Sequence, residues 1–249
     1  MELIFILLLF AFSIFCFVKA FTLIKKRLKE AENQKRNSYK GTKAPEMSIR
    51  FETTRHQPKR HRANEKPEHL KYTKARKLSE DYTVLDFETS GFKAKEAKVI
   101  QVAAVKYRNH EITDRYTTNV NPQKKLSPRI KKITGLTDDD VKDAPLIEEV
   151  LPELVSFIGN DTVIAHNAPF DMKFLLHNMN LHNMDYKRFR VICTLSLARK
   201  NILDSENHKL ETLKSYLDLN HYDSHNALDD CYVTGALYKH CYEKSLVTN

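Results

Sequence analysis

Hydrophobic and polar positions divide this 249-residue chain into three stretches of different character. In the first, Leu3 to Val18 is apolar except for Ser13, and after Lys19 the run resumes from Ala20 to Ile24. A helix over these residues would be about 33 Å long, enough to cross a bilayer. In the second stretch, residues 25–78, apolar side chains stand singly. Residues 25–36 suit a continuing helix, and beyond Asn37 neither a 3.6-residue nor a 2-residue period persists, as expected of a flexible tether. In the third, from residue 79, periodic patterns begin and run nearly to the end.

Tyr82 to Phe87 opens that third stretch as a β-prone run. Lys98 to Tyr107 reads as a second, mostly buried strand, and Glu111 to Val120 as an alternating third. Arg108-Asn109-His110 makes the hairpin turn between them. Pro122 ends the run, and residues 127–142 hold short helical pieces broken at Gly135. Ala144-Pro145 opens an amphipathic helix to about Ile158, with Val150, Leu151, Leu154 and Phe157 at core spacing. Gly159-Asn160-Asp161 stops it before a short buried strand, Thr162 to Ala165. A helix from Phe170 to Asn180, a strand from Arg190 to Cys193, and helices over 194–202, 209–217 and 226–246 follow. Strands that start as an antiparallel meander and then alternate with helices predict an α/β mixed sheet covered by helices.

Charge sharpens the division. Residues 25–78 hold 18 Lys and Arg against 6 Asp and Glu, a net of +12, and the first 24 residues cancel. The overall +9 therefore leaves residues 79–249 at −3. Lys25-Lys26-Arg27 directly after the apolar run predicts a single-pass anchor whose C-terminal side is cytoplasmic. A cleaved signal peptide would want a basic n-region, which is missing, although Val18-Lys19-Ala20 is a passable cleavage site; a buried core helix is the third reading. The basic stretch suits anionic lipid, at about 1 kcal/mol per Lys or Arg near the surface. Its clusters Lys59-Arg60-His61-Arg62 and Lys71 to Lys77 also suit a phosphate backbone. The four cysteines (Cys16, Cys193, Cys231, Cys241) form no Cys-x-x-Cys pair, so neither a zinc site nor a disulfide framework is indicated, and a reducing compartment is expected.

Three stretches carry candidate chemistry. In Val84-Leu85-Asp86-Phe87-Glu88-Thr89-Ser90-Gly91, strand alternation points Asp86 and Glu88 to one face and Leu85 and Phe87 to the other. Like charges that close repel, and divalent cations bound between them relieve the repulsion; a solvated strand face followed by a turn is the plainer reading. Asp171, in His166-Asn167-Ala168-Pro169-Phe170-Asp171, lies past a buried strand at a helix start, where ligands gather in open α/β sheets. It also suits the helix dipole alone. In His225-Asn226-Ala227-Leu228-Asp229-Asp230 a histidine precedes a helix and Asp230 lies a little over one turn in. His225 can serve as a proton acceptor near pH 7, or be a surface loop residue, and the two acids can be ordinary helix-start acids.

Asp-x-Glu on the first strand, His-Asn-x-x-Phe-Asp after a later strand and His-x-Ala-x-x-Asp near the C-terminus together resemble the DnaQ-like 3′–5′ exonucleases of the DEDDh group. The resemblance covers about residues 80–245 and includes Ile133-Thr134-Gly135-Leu136-Thr137 with Ala144-Pro145. It implies an RNase H-like fold with a five-stranded mixed sheet. It also implies two Mg²⁺ or Mn²⁺ ions held by Asp86, Glu88, Asp171 and Asp230, His225 as general base, and release of 5′-nucleotides from single-stranded DNA or RNA 3′ ends. The tyrosine form of the family has Tyr where this chain has Asn226, so the His type applies. Cys193-Thr194 stands where relatives commonly carry Asp-Thr, which leaves the metal site intact, and Asp161-Thr162 and Gln101 look ordinary. The expected organisation is an anchor at 1–24, a basic tether at 25–78 and an exonuclease domain at 79–249, membrane-held and unlike a replisome proofreader. An oligoribonuclease-like enzyme on short RNA and a catalytically idle nucleic-acid- or lipid-binding module are the alternatives.

Overall fold

The structure, a computed structural model, describes residues 71–184 and 188–247. The expected anchor at residues 3–24 and the expected tether up to residue 70 lie outside them. Among the described residues no helix is long and apolar enough to cross a membrane.

Six strands form one mixed sheet: β1 (Thr73–Lys74), β2 (Tyr82–Thr89), β3 (Val99–Arg108), β4 (Glu111–Asn119), β5 (Thr162–Ala165) and β6 (Arg190–Cys193), in the order β1-β6-β5-β2-β3-β4. The β2-β3-β4 meander is antiparallel, and β5, β6 and β1 add in parallel on the other side of β2. Asn109 and His110, at φ 51° and 61°, make the two-residue turn into β4, the left-handed pair that matches strand twist. Among the described residues the helices are, in chain order, α1 (Pro128–Thr134), α2 (Asp138–Lys142), α3 (Ile147–Ile158), α4 (Pro169–Leu181), α5 (Thr194–Asn201), α6 (Leu210–Tyr216) and α7 (Ala227–Val247).

The sequence predicts five strands, and the described residues hold six. β1 is the addition, and it falls inside the stretch expected to be tether. Its two residues are exposed and pair with Arg190 and Val191 through the backbone, so no hydrophobic pattern announces it. Tyr72, Ala75 and Leu78 pack against the core beside it, so the folded unit begins before residue 79. The α3 start also shifts: the helix begins at Ile147 rather than at Ala144-Pro145, because the Glu149 carboxylate accepts the Leu146 N–H at 2.7 Å and caps the turn there.

Period-2 alternation places Leu85, Phe87, Val102 and Ala104 on one face of the sheet, against Val150, Leu151 and Leu154 of α3 and Met172 and Leu175 of α4. Tyr82, Val84, Ala103 and Val105 take the other face, under Ala227, Cys231 and Tyr238 of α7. Both faces of β2 are therefore covered over Tyr82 to Leu85, and Asp86 and Glu88 are half-buried and do not lie on an open solvated face. Gly235 lets α7 approach this closely: a methyl there would collide with the Tyr107 hydroxyl and ring. Tyr107 cannot retreat, since it stacks on Tyr82 at 4.8 Å. Gly235→Ala is expected to lower stability by about 2 kcal/mol, overcoming the roughly 1 kcal/mol that alanine gains in a helix. Thermal melts of the variant and of Gly235→Ala/Tyr107→Phe check it: the double variant should recover part of the loss, and a stabilised single variant would refute the packing account.

Candidate active site

Asp86 and Glu88 extend the Tyr82–Val84 row of β2 toward the end of the strand where α7 begins and α4 follows β5. β5 pairs with β2 only over Tyr82 to Val84, so the Phe87 N–H has no strand partner there. Asp171, in the first turn of α4, accepts that N–H through Oδ1 at 3.3 Å. The chain therefore uses the Asp171 carboxylate to finish the ladder and, in doing so, brings it beside Asp86. Asp171 is only 2% exposed.

The third contribution comes from the start of α7. Asn226 caps it, its Oδ1 accepting the N–H groups of Leu228 and Asp229 at 3.1 and 3.3 Å. Asp229 and Asp230 fold back on the preceding loop: Asp229 Oδ2 accepts the Asp223 N–H at 2.9 Å, and Asp230 Oδ2 accepts the His225 N–H at 3.0 Å. His225 is exposed and holds φ at 61°, a left-handed conformation that turns the chain sharply into the helix. As a result one ligand atom each from Glu88, His225 and Asp230 lie within 4.8 Å of one another.

Electrostatics ties Asp86 and Asp171 to that trio. Burial pushes the Asp86 carboxyl well above its ordinary range, and the charges of Asp171, Asp230 and Glu88 push it further. Burial and then Asp230 raise Glu88 to about 8. Asp171 reaches about 8 through burial, against the lowering effect of the Phe87 N–H. Burial raises Asp230 to about 6, partly offset by the His225 N–H and by Lys214. Four carboxyls that resist ionising together in one place make a donor set of hard oxygens. Such a set fits a divalent cation, because the cation removes the repulsion that burial magnifies. All five sequence-predicted residues are thus in one region: Glu88, Asp230 and His225 in mutual contact range, with Asp171 buried and Asp86 half-buried beside them.

Two residues that the sequence reading passed over position this site. Gln101 lies opposite Glu88 in the β2–β3 register. Its Oε1 accepts the Ala227 N–H at 2.9 Å and its Nε2 donates to Asn119 Oδ1 at 3.0 Å, so it fixes where α7 begins. A glutamine in an otherwise apolar run, Val-Ile-Gln-Val-Ala-Ala-Val, is the signal that could have found it. Lys214 of α6 donates to Tyr222 O at 3.1 Å and to Ser224 Oγ at 2.6 Å, holding the His225 loop. Gln101→Ala is expected to cost about tenfold in turnover through misplacement of Asp230. Its KM for the strand should change little. Steady-state kinetics separate these; an Ala variant with full turnover would remove the positioning role.

A buried carboxylate cluster at the end of a mixed sheet, with helices on both faces, defines an RNase H-like exonuclease fold. Comparison with known proteins agrees. The chain belongs to the RNase T exonuclease family, which it matches over residues 83–238. It is 41% identical over 165 residues to the PolC-type DNA polymerase III of Oceanobacillus iheyensis, covering 65% of this chain and 11% of that protein. The Bacillus subtilis PolC-type polymerase is 37% identical over 171 residues, covering 68% of this chain and 12% of that one. The chain thus spans about a tenth of the length of the curated relatives it matches. Among solved structures, exonuclease X in complex with 5′-overhanging duplex DNA superposes with a TM-score of 0.53 at 26% identity, over 66% of this chain and 92% of that one. Escherichia coli exonuclease I with a dT13 oligonucleotide shares the fold, with a TM-score of 0.61 at 15% identity, over 68% of this chain and 42% of that one.

Proposed function

We infer that this chain is a divalent-metal-dependent 3′–5′ exonuclease that releases 5′-nucleotides from single-stranded 3′ ends. The observation that carries this is the gathering of Asp86, Glu88, Asp171, Asp230 and His225 from three separate elements into one region. Asp86, Glu88, Asp171 and Asp230 would hold two Mg²⁺ or Mn²⁺ ions. Bound there, such ions supply charge stabilisation for the attacking and leaving oxygens of a phosphodiester. His225 stands at the open side of the cluster, where its imidazole takes the proton from the attacking water. Asp230, by accepting the His225 N–H, sets the backbone from which that imidazole projects. Gln101 and Lys214 keep the α7 start and its loop in place for the transfer.

The polymerase relatives favour DNA over RNA as the strand, and the bound overhang and dT13 of the two structural neighbours favour single-stranded ends. The chain's first 24 residues act as a membrane anchor in this reading, with residues 25–70 a basic tether that can meet anionic lipid and the nuclease on the cytoplasmic side. Purified full-length protein with Mg²⁺ or Mn²⁺, given 3′- and 5′-labelled single strands of DNA and RNA, tests it. Mononucleotides should appear from the 3′ end and vanish with chelator. Shortening from the 5′ end, or no shortening at all, would overturn the assignment. Protease accessibility of the tether in intact cells tests the topology.

A further inference from the structure

Residues 79–249 carry a net −3, yet their cations are not spread evenly. Lys93, Lys95 and Lys98 come directly after Phe92, and Lys124, Lys125 and Lys131 follow β4 and enter α1. The fold sets the two groups side by side, with Lys124 Nζ reaching Glu96 O at 3.5 Å. α4 borders the same surface: His177 is lowered by burial and then by the charges of Lys95 and Lys98. One turn earlier on α4, Lys173 Nζ donates to Phe92 O at 2.7 Å.

These contacts fix a direction. Lys173 is two residues from Asp171, and Phe92 is four from Glu88. The basic surface therefore lies at the end of the sheet where β2 ends and α4 begins, the end that carries the carboxylate cluster, and runs over Lys95 and Lys98 to Lys124 and Lys125. The acids within it are already engaged, Glu96 with Lys93 at 3.2 Å and Asp138 with Lys131 at 2.7 Å. Lys95, Lys98 and Lys125 are exposed and enter no ion pair among the described residues.

We propose that this lysine-lined surface is the track that holds the phosphate backbone of the nucleic acid upstream of the 3′ end being cleaved. The proposal rests on the exonuclease reading and adds where the strand runs. Lysine ammonium groups act as point charges on phosphates and read no bases, so the track is sequence-independent and salt-sensitive. A lipid surface offers anionic phosphates too. A bilayer lying on these lysines, however, would also lie across the rim of the cluster and close it to any 3′ end, so a strand is the occupant that leaves the site usable.

The test uses full-length Lys95→Glu/Lys98→Glu/Lys125→Glu, with Lys95→Gln/Lys98→Gln/Lys125→Gln as a milder set should the reversal unfold the protein. Wild type and variants share residues 25–70, so the tether's own attraction for nucleic acid cancels. The loss in kcat/KM should grow with substrate length, from under about twofold on a dinucleotide to about tenfold or more on a 12-mer, and fall mainly on KM. The dependence of log KM on log salt should weaken by about 2, as for three lost phosphate contacts on a single strand. An equal loss at every length, or no loss, overturns the track. Weakened binding to phosphatidylserine vesicles with the 12-mer KM unaltered overturns it in favour of a lipid contact. If wild type releases no nucleotide, the exonuclease reading fails separately, and fluorescence anisotropy of a labelled 12-mer in Ca²⁺ still decides the track: it stands if the variants bind more weakly and falls if they do not.

Discussion

Asp86→Asn is expected to abolish nucleotide release while raising the melting temperature of the chelator-treated protein. Both effects have one origin. Asp86 stands half-buried among Asp171, Asp230 and Glu88, and desolvation with three like charges opposes its ionised form. Asparagine keeps the shape and removes the charge, so the metal-free fold loses a repulsion and gains stability. The same change removes a hard anionic ligand. If a bound cation contributes several kcal/mol to stabilising the charge that develops on the phosphoryl oxygens, its loss lowers turnover by at least about 10³-fold. Labelled-strand assays and melts in EDTA read the two effects on one sample. A variant that stays active, or one that is inactive only because it melts below the wild type, would show that Asp86 is structural. The coupling of lost activity to gained stability is what distinguishes a functional carboxylate from a helix-start or strand-face acid.

How much of this was legible in the sequence follows from what each residue interacts with. Asp86 and Glu88, Asp171, and His225 with Asp230 are local motifs, so their order along the chain singled them out as candidates before any contact was known. The β2–β4 meander and the α1 break at Gly135, φ 71°, were legible because alternation and a left-handed cap are local too. β1 was not, since its two exposed residues are held only by backbone pairing to β6. Gln101 was not, because its partner is the backbone of Ala227, 126 positions away. The burial of Asp86 was hidden for a related reason. The helix that covers it, α7, buries Ala227, Cys231, Val233, Gly235, Leu237 and Cys241, positions that run round much of the helix instead of forming one apolar stripe. A helix packed on several sides gives no clue to which strand face it closes.

Stability without metal should fall as pH rises from 6.5 to 8.5, and Mn²⁺ should reverse the fall. Glu88 and Asp171 titrate near 8 in the fold and Asp230 near 6, against roughly 4 for such groups in an unfolded chain. Between those values the folded state holds protons that the unfolded state has lost, so unfolding releases protons. The stability these neutral carboxyls contribute is complete below about pH 4 and disappears as pH passes through the folded values. The lower part of that range is a poor place to look. His166, which burial lowers to about 4, is neutral in the fold and drives stability the opposite way, upward from pH 4 to 6.5. Above pH 6.5 that effect is spent, and Glu88 and Asp171 dominate. Divalent cations bind only the ionised carboxylates, so their stabilisation should grow over the same interval and release protons as they bind. Melting temperatures at pH 6.5, 7.5 and 8.5, in EDTA and in Mn²⁺, should therefore diverge steadily. Asp171→Asn should flatten the EDTA curve, having one fewer carboxyl to ionise. Parallel EDTA and Mn²⁺ curves, or an EDTA curve that rises with pH, would mean that the buried carboxyls do not form a cation site.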